Sequence, residues 1–363
     1  MELLIGHTGA PTAVLNRSVA GFIEEASDCR IRAFRDGPDG LLSGDWMPVE
    51  VSTLPDESRP GSHLGGGRRS TTEADITKMV DRIESAGINA LVLIGGNGTM
   101  ALLHAIEAAA HRRGLALSCV GIPKTIDNDL LGTDPAPGYA SAASFVARTV
   151  ADSARDHAAM RSIEPVRIIE TMGRSTGWLT LAGSFAFDSE FRAHMVWLPE
   201  QQWDPEAFLR HVDSCLSRHD RALVVVSEGV APDLTEDPIQ DSNHATLLRG
   251  GVARTLAALV SAALDVPARG EVLGTIQRSA SWAVSRFDAE VARESGRRAA
   301  ALVRAGTSGV MADASGQPHP LGVVAGAVRS VPTRWRTPDP EDLSDFHAWL
   351  RPLISPLVHL NEE

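Results

Sequence analysis

Cysteine is scarce in this chain of 363 residues: Cys29, Cys119 and Cys215 stand far apart and without metal-ligand spacing. A cysteine metal site is thereby excluded, and the three read as reduced thiols in or near apolar segments, the usage of a cytoplasmic protein. No apolar run reaches the length of a membrane span. Met1-Glu2-Leu3-Leu4-Ile5 lacks the basic stretch and long apolar region of a signal peptide, so none is expected. Positive charge is short as well, with 34 Lys and Arg against 46 Asp and Glu and a formal net charge of −12. That balance argues against a nucleic-acid surface, and any anionic substrate needs its own local arginines and lysines. Repeats of fixed period and low-complexity tracts are missing. So is a Walker A loop, because no glycine loop ends in Gly-Lys-Ser/Thr.

What is present is ordinary globular composition, 43% hydrophobic and 22% charged, at a length that favours two domains. Short apolar runs alternate with longer amphipathic ones. Strands are expected at Leu3–Gly6, Ile31–Phe34, Ala90–Ile94, Cys119–Ile122, Val166–Ile169 and Ala222–Val226. Helices are expected over Ala13–Ala26, from the Thr71-Thr72-Glu73 capping segment to about Ala86, through His111, after Gly177, and from about Pro340 to Leu350. Strand, polar glycine loop and helix in repetition predict βαβ units and parallel sheets. Two such sets imply two doubly wound, three-layer α/β domains facing a common cleft. The acidic segment Pro232 to Asn243 reads as an exposed loop or lid.

The loops carry the chemistry. Pro123-Lys124-Thr125-Ile126-Asp127-Asn128-Asp129 follows an apolar strand, and in open α/β sheets the strand's carboxyl end faces the ligand crevice. Two carboxylates, a hydroxyl and an ammonium on one loop suit phosphoryl transfer to an alcohol. One carboxylate takes the hydroxyl proton, another helps hold Mg²⁺, and the cation neutralises phosphate charge. An acidic turn with an N-cap is the plainer reading of the same residues. Gly95-Gly96-Asn97-Gly98-Thr99 puts bare backbone N–H groups at a helix N-terminus, where phosphates bind. Leu64-Gly65-Gly66-Gly67-Arg68-Arg69-Ser70 adds two guanidiniums. Met172-Gly173-Arg174 supplies another at a strand end, where a planar, permanently charged group stabilises a transferring phosphoryl. Glu228 follows the strand Ala222–Val226 and could accept from an acceptor hydroxyl or cap a surface helix. Gly274-Thr275-Ile276-Gln277-Arg278 repeats the strand-end arginine.

In this order, from Gly6-His7-Thr8-Gly9-Ala10-Pro11-Thr12-Ala13-Val14-Leu15-Asn16 to Ile276-Gln277-Arg278, the segments resemble the phosphofructokinase family. The likeness is nearest to the branch with lysine in the Pro-Lys-Thr-Ile-Asp-Asn-Asp loop, many of whose members use pyrophosphate. It implies a glycolytic type of sugar kinase, a homodimer or homotetramer, with Mg²⁺ as cofactor. It also implies a donor domain of residues 1–141 plus 277–330 and an acceptor domain of 142–276 plus 331–363. By the same resemblance Asp127 is the general base, with Thr125 and Asp129 beside it and Asn97 and Asp129 at the metal. Lys124 and Arg174 neutralise the transferred group. Gly9, Ala10, Arg68, Asn97, Gly98 and Thr99 match donor positions. Met172, Gly173, Glu228, Arg269, Thr275 and Arg278 match acceptor positions, Arg269 being expected from a neighbouring subunit.

Departures from the family pattern matter as much. Gly98 replaces the aspartate with which pyrophosphate users block a nucleotide's α-phosphate, which favours ATP as donor over pyrophosphate. Ala10 replaces a glycine of the first phosphate loop. Pro165 stands where the family has an arginine, with Arg161 and Arg167 nearby but out of register, and Thr275 replaces a histidine. Both missing side chains hold the 6-phosphate of the acceptor. Two lost charge-assisted contacts, each worth roughly 1.5–3 kcal/mol, predict weak binding of a phosphorylated sugar. Three readings follow: a kinase of fructose 6-phosphate, the same transfer to another sugar or sugar-like alcohol in a specialised pathway, and a catalytically weak regulatory homologue.

Overall fold

The computed structural model describes residues 1–49, 56–187, 190–230 and 251–358. Its strands, in chain order, are β1 (Glu2–His7), β2 (Arg30–Ala33), β3 (Met47–Pro48), β4 (Ala90–Gly95), β5 (Ser118–Pro123), β6 (Val166–Thr171), β7 (Met195–Trp197), β8 (Ala222–Ser227), β9 (Ala268–Val272), β10 (Val310–Met311) and β11 (His319–Pro320). They form two sheets, ordered β11-β10-β5-β4-β1-β2-β3 and β7-β8-β6-β9. The second sheet is parallel throughout. The first is mixed, which corrects the expectation of parallel sheets: β3 and β11 join its two edges antiparallel. Both edge strands are two residues long: β11 follows β10 by a short return, and β3 follows β2 after the short helix Pro38–Ser43, so neither needs the long crossover of a parallel neighbour.

Alternation along the strands builds the layers. Leu4, Leu91 and Leu93 face helices Glu73–Ser85 and Asn97–Arg112, packing on Met79, Ile83, Leu103 and Ile106. Their neighbours Leu3, Ile5, Val92 and Ile94 face helices Leu15–Glu25 and Arg286–Arg304 through Phe22, Ile23, Ala299 and Val303. The second sheet repeats this. Ile169, Leu223 and Val225 meet helices Tyr139–Met160 and Ser344–Ile354, while Ile168, Val224 and Val226 meet Pro205–His219 and Val252–Leu264. Covered on both faces, β4, β6 and β8 are buried at every residue. That is why β4 and β8 read as near-continuous apolar runs, while β6 buries Arg167 in an ion pair with Glu164, and Glu170 as acceptor of the Ala253 N–H.

Thr72 caps the helix from Glu73 with a capping box to Asp75, as the sequence predicts. The helix expected after Gly177 is short, Trp178–Ala182. The last one begins as a 3₁₀ turn, Pro340–Leu343, and continues as Ser344–Ile354. The Pro232–Asn243 lid lies outside the described residues. No helix among the described residues is long and apolar enough to cross a membrane.

In the first sheet the chain runs from β1 outward to β2 and returns on β1's other side as β4, so the strand order reverses between β1 and β4. The loops that leave β1, β4 and β5 begin at Thr8, Gly96 and Lys124. Those that leave β6 and β8 begin at Met172 and Glu228. All five line one cleft of about 480 Å³.

Candidate active site

Of the sequence-selected residues, fourteen line this cleft: Gly9, Ala10, Arg68, Asn97, Gly98, Thr99, Lys124, Thr125, Asp127, Asp129, Met172, Arg174, Glu228 and Arg278. Gly173 sits just behind the wall, where its N–H donates to Glu228 Oε1 at 3.4 Å. Its φ of +127° and the Thr176 carbonyl, 2.5 Å from where a Cβ would stand, admit only glycine. Arg269 and Thr275 are the two that the chain does not bring into the cleft. Arg269 lies on β9, more than half exposed and paired with Glu164 at 3.3 Å and Glu271 at 3.8 Å. Thr275 is exposed on the 3₁₀ turn Gly274–Arg278.

The catalytic-loop candidates are wired to one another. Thr125 Oγ1 donates to Asp129 Oδ1 at 3.0 Å and accepts from the Asp127 N–H at 3.0 Å. Asn97 Nδ2 donates to Asp129 Oδ2 at 3.0 Å, and Thr176 Oγ1 donates to the Asp127 carbonyl at 3.1 Å. Burial, with the Asp129 and Glu228 carboxylates adding, raises the Asp127 carboxyl well above the usual carboxylate range. Lys124 is buried at the centre, with Nζ donating to the Ala10 carbonyl at 2.6 Å. Burial, then the Arg68 guanidinium, lowers its ammonium to about 7. A carboxylate raised and an ammonium lowered in one crevice is a pairing suited to proton transfer near neutral pH.

Arginines gather opposite. Burial, then Arg174 and Arg278, hold the Arg68 guanidinium below its ordinary value. Cations that crowd at a cost to one another mark a place for an anion of several charges. Glu228 partly offsets them, its Oε1 lying 3.7 Å from Arg174 Nε. Arg278 is presented by a buried neighbour: Gln277 accepts the Met172 N–H at 3.1 Å and donates to the Gly274 carbonyl at 2.9 Å. Across the cleft the loop after β1 and the segment between β3 and the helix Glu73–Ser85 are joined by Gly9 N–H to Gly67 O at 2.8 Å. The fully buried His7 ties them from beneath, with Nδ1 2.7 Å from Gly65 O and Nε2 3.2 Å from Ala10 O. Burial, then Lys124, lowers His7 to about 3, so its ring is neutral.

Two questions left by the sequence meet direct geometry. A Cβ at Gly98 has nothing within 4 Å, so an aspartate there would project into open cleft. Neither neighbouring arginine stands in for the one missing at Pro165. Arg167 is buried at the amino end of β6 with Glu164 and Asp156, each at 2.7 Å, and Arg161 is exposed, donating to Ala158 O at 2.9 Å. His7, Gln277 and Thr176 also serve the site. His7 and Gln277 lie inside glycine-loop segments and Thr176 just after Met172-Gly173-Arg174, but only their neighbours in the fold reveal a use.

The residues fit a hard divalent cation. Asn97 Oδ1 is buried without a hydrogen-bond partner, on the residue whose amide nitrogen reaches Asp129. An amide oxygen and one carboxylate are an Mg²⁺-type donor set, which ordinarily is completed by phosphate oxygens and water. No cluster of three or more His, Cys, Asp or Glu able to hold a metal occurs among the described residues.

Comparison with known proteins agrees with this geometry. The phosphofructokinase family model matches residues 2–303. A sulfofructose kinase from Alkalicoccus urumqiensis is 38% identical over 316 residues, 86% of this chain and 82% of that protein. An ATP-dependent 6-phosphofructokinase of Streptomyces coelicolor is 30% identical over 332 residues, 88% of this chain and 90% of its own. Among solved structures, a pyrophosphate-dependent phosphofructokinase from Nitrosospira multiformis superposes with a TM-score of 0.84 at 27% identity, covering 99% of this chain and 93% of that one. A fold of two sheets around one cleft, catalytic-loop carboxylates within it and a family match over most of the chain have a single reading: this protein is a phosphotransferase of the phosphofructokinase family.

Proposed function

We propose that this enzyme moves the terminal phosphoryl group of ATP to a sugar hydroxyl, and that its acceptor is a ketose bearing a sulfonate rather than fructose 6-phosphate. The observation that carries the acceptor reading is the unreplaced loss of charge at Pro165 and Thr275, with Arg161 and Arg167 engaged elsewhere. A phosphate monoester carries close to two negative charges at neutral pH. A sulfonate carries one, so a pocket short of a guanidinium and an imidazole suits it better. Sulfofructose kinase among the relatives supports the same choice. Open space at Gly98 supports ATP.

In this reading Asp127 accepts the proton of the attacking hydroxyl, while Thr125 and Asp129 orient it. Lys124 and Arg174 meet the charge on the transferring group, where preorganised cations matter most. Asn97 and Asp129 would hold Mg²⁺, which when bound neutralises charge on the donor phosphates. Gly9, Ala10, Arg68, Gly98 and Thr99 line the donor side. Met172, Gly173, Glu228 and Arg278 line the acceptor side, and Arg269 reaches the acceptor of a neighbouring subunit in a homodimer or homotetramer. The donor domain would comprise residues 1–141 with 277–330, and the acceptor domain 142–276 with 331–363, Arg278 reaching the acceptor side from the donor domain. Convergence of Thr125, Asp127, Asp129 and Arg174 on one cleft speaks against a weak regulatory homologue.

The test is a panel of ATP and pyrophosphate against sulfofructose and fructose 6-phosphate, read as kcat/KM. ATP with sulfofructose should lead by at least tenfold. Efficient use of fructose 6-phosphate would overturn the acceptor reading, and activity with pyrophosphate alone would overturn the donor reading.

A further inference from the structure

We propose that Arg329 is a positioning residue, which holds the Asp127–Asp129 loop in register with the Met172–Gly177 loop across the cleft. It lies beyond residues 2–303, the part of the chain that the family model matches. It does not line the cleft, so whatever it does for the reaction is done through other residues.

Four of its contacts converge on the two loops. The Arg329 backbone N–H donates to the Asp129 carbonyl at 2.8 Å. Its guanidinium Nη2 donates to Asp134 Oδ1 at 2.6 Å, at the far end of the same loop. The guanidinium also lies 4.5 Å from the centre of the Trp178 ring, over its face. In return, the Trp178 indole N–H donates to the Arg329 carbonyl at 3.1 Å. Trp178 begins the helix that follows Gly177, so one residue grips both loops at once.

These contacts belong to a closed circuit. Two residues on, the Val331 N–H donates to Glu200 Oε1 at 3.0 Å, and Glu200 Oε2 accepts the Gly177 N–H at 3.0 Å. Thr176 Oγ1 then donates to the Asp127 carbonyl at 3.1 Å. Leu130 bridges Val328 antiparallel and completes the ring. Asp127 and Asp129 are thus fixed from the cleft side by Thr125, Asn97 and Thr176, and from behind by residues 328–331. Burying a guanidinium is costly, and here Nη1 is buried without a partner. A flat, delocalised cation with a forked set of donors can pair with Asp134 and stack on Trp178 together, which a lysine ammonium cannot.

This inference rests on the reading of Asp127 and Asp129 as the reacting loop, and the test separates the two. Arg329→Met, Arg329→Lys and Asp134→Asn would be compared with the full-length wild type by steady-state kinetics and by hydrogen–deuterium exchange without ligands. A displacement of reacting groups by about 1 Å costs on the order of 10²-fold in rate. Arg329→Met should therefore lower kcat 10- to 100-fold, with KM for ATP and for the acceptor changed less than threefold. Arg329→Lys should fall between it and wild type. Exchange should rise in peptides covering 127–134 and 176–178, and stay unchanged in β1, β4 and β5. Asp134→Asn leaves the stack and backbone contacts in place and should give the same pattern several-fold weaker, which keeps the test valid if Arg329→Met folds poorly. Wild-type kcat together with wild-type exchange in Asp134→Asn and Arg329→Lys would overturn the proposal, as would a loss spread evenly over every peptide. Raised local exchange beside full activity of an Asp127→Asn variant would instead leave the strut standing and remove the assigned base.

Discussion

The two walls proposed for the cleft, one for the donor and one for the acceptor, differ in completeness. On the donor wall every position picked from the sequence lines the space within one chain: Gly9, Ala10, Arg68, Asn97, Gly98 and Thr99. On the acceptor wall Met172, Arg174, Glu228 and Arg278 do so, whereas Arg269 turns to Glu164 and Glu271, and Thr275 faces solvent. The donor wall is mostly backbone, glycine turns and the N-terminus of helix Asn97–Arg112, joined by the Arg68 guanidinium, groups that recognise any phosphate. The acceptor wall is made of long side chains on strand ends and a 3₁₀ turn. Exchanging one of them changes what is bound without touching the fold, so specificity is the more freely altered on that side.

The largest expected effect would break the common ground of the two walls. Asp127→Ser should lower kcat by a factor on the order of 10²–10⁴, the range for losing a general base, with circular dichroism unchanged. Near wild-type turnover would remove Asp127 from that role. Arg174→Ala should cost on the order of 10²–10³ in kcat, since its charge acts chiefly in the transition state.

Next comes the donor wall. Gly98→Asp meets no atom within 4 Å of its Cβ, so the protein should fold normally. kcat/KM for ATP should drop by roughly 10²-fold through the added charge beside phosphate, while pyrophosphate use is spared or gained. Equal losses with both donors would mean that Gly98 does not choose between them.

The acceptor wall is sharpened by restoring what it lacks. Thr275→His with Pro165→Arg should lower KM for fructose 6-phosphate by about tenfold or more, one to two charged hydrogen bonds' worth, and leave KM for ATP alone. An unchanged acceptor KM would place the acceptor's anionic end elsewhere.

The smallest effect is a pH dependence. Lys124 has its ammonium lowered to about 7 by burial and Arg68, so it is charged below that pH and neutral above it. KM for the anionic donor should therefore rise as pH increases from 7 to 9, a range in which an ordinary lysine would stay charged. A flat KM over that range would show that Lys124 stays charged in the free enzyme.

How far the sequence could be read depended on local chemistry. β4 and β8 were legible because burial on both faces makes them near-continuous apolar runs, and β6 by its Val166, Ile168 and Ile169 before a glycine loop. β9 was harder, since Arg269 and Glu271 break its apolar pattern at a sheet edge. Helix Tyr139–Met160, the longest among the described residues, carries small residues on its buried face, which mute the helical period. β3, β10 and β11, two residues each, have no period to detect. In the site, glycines and charges on loops after strands were readable. His7 and Gln277 were not, because their partners lie 58 and 105 residues away.

By itself, then, the sequence determined the α/β class, the family, and which loops bear carboxylates, guanidiniums and bare backbone, because these follow from neighbours along the chain. Only the tertiary structure decided which charges face one another. It buried Asp127 and set it against Asp129 and Glu228, raising its carboxyl, and buried Lys124 near Arg68, lowering its ammonium. It also withdrew Arg167 into a structural ion pair and drew Arg329 behind Asp129. Pairwise electrostatics and burial depend on distances in space, and in this chain those distances are set by the packing of two sheets around one cleft.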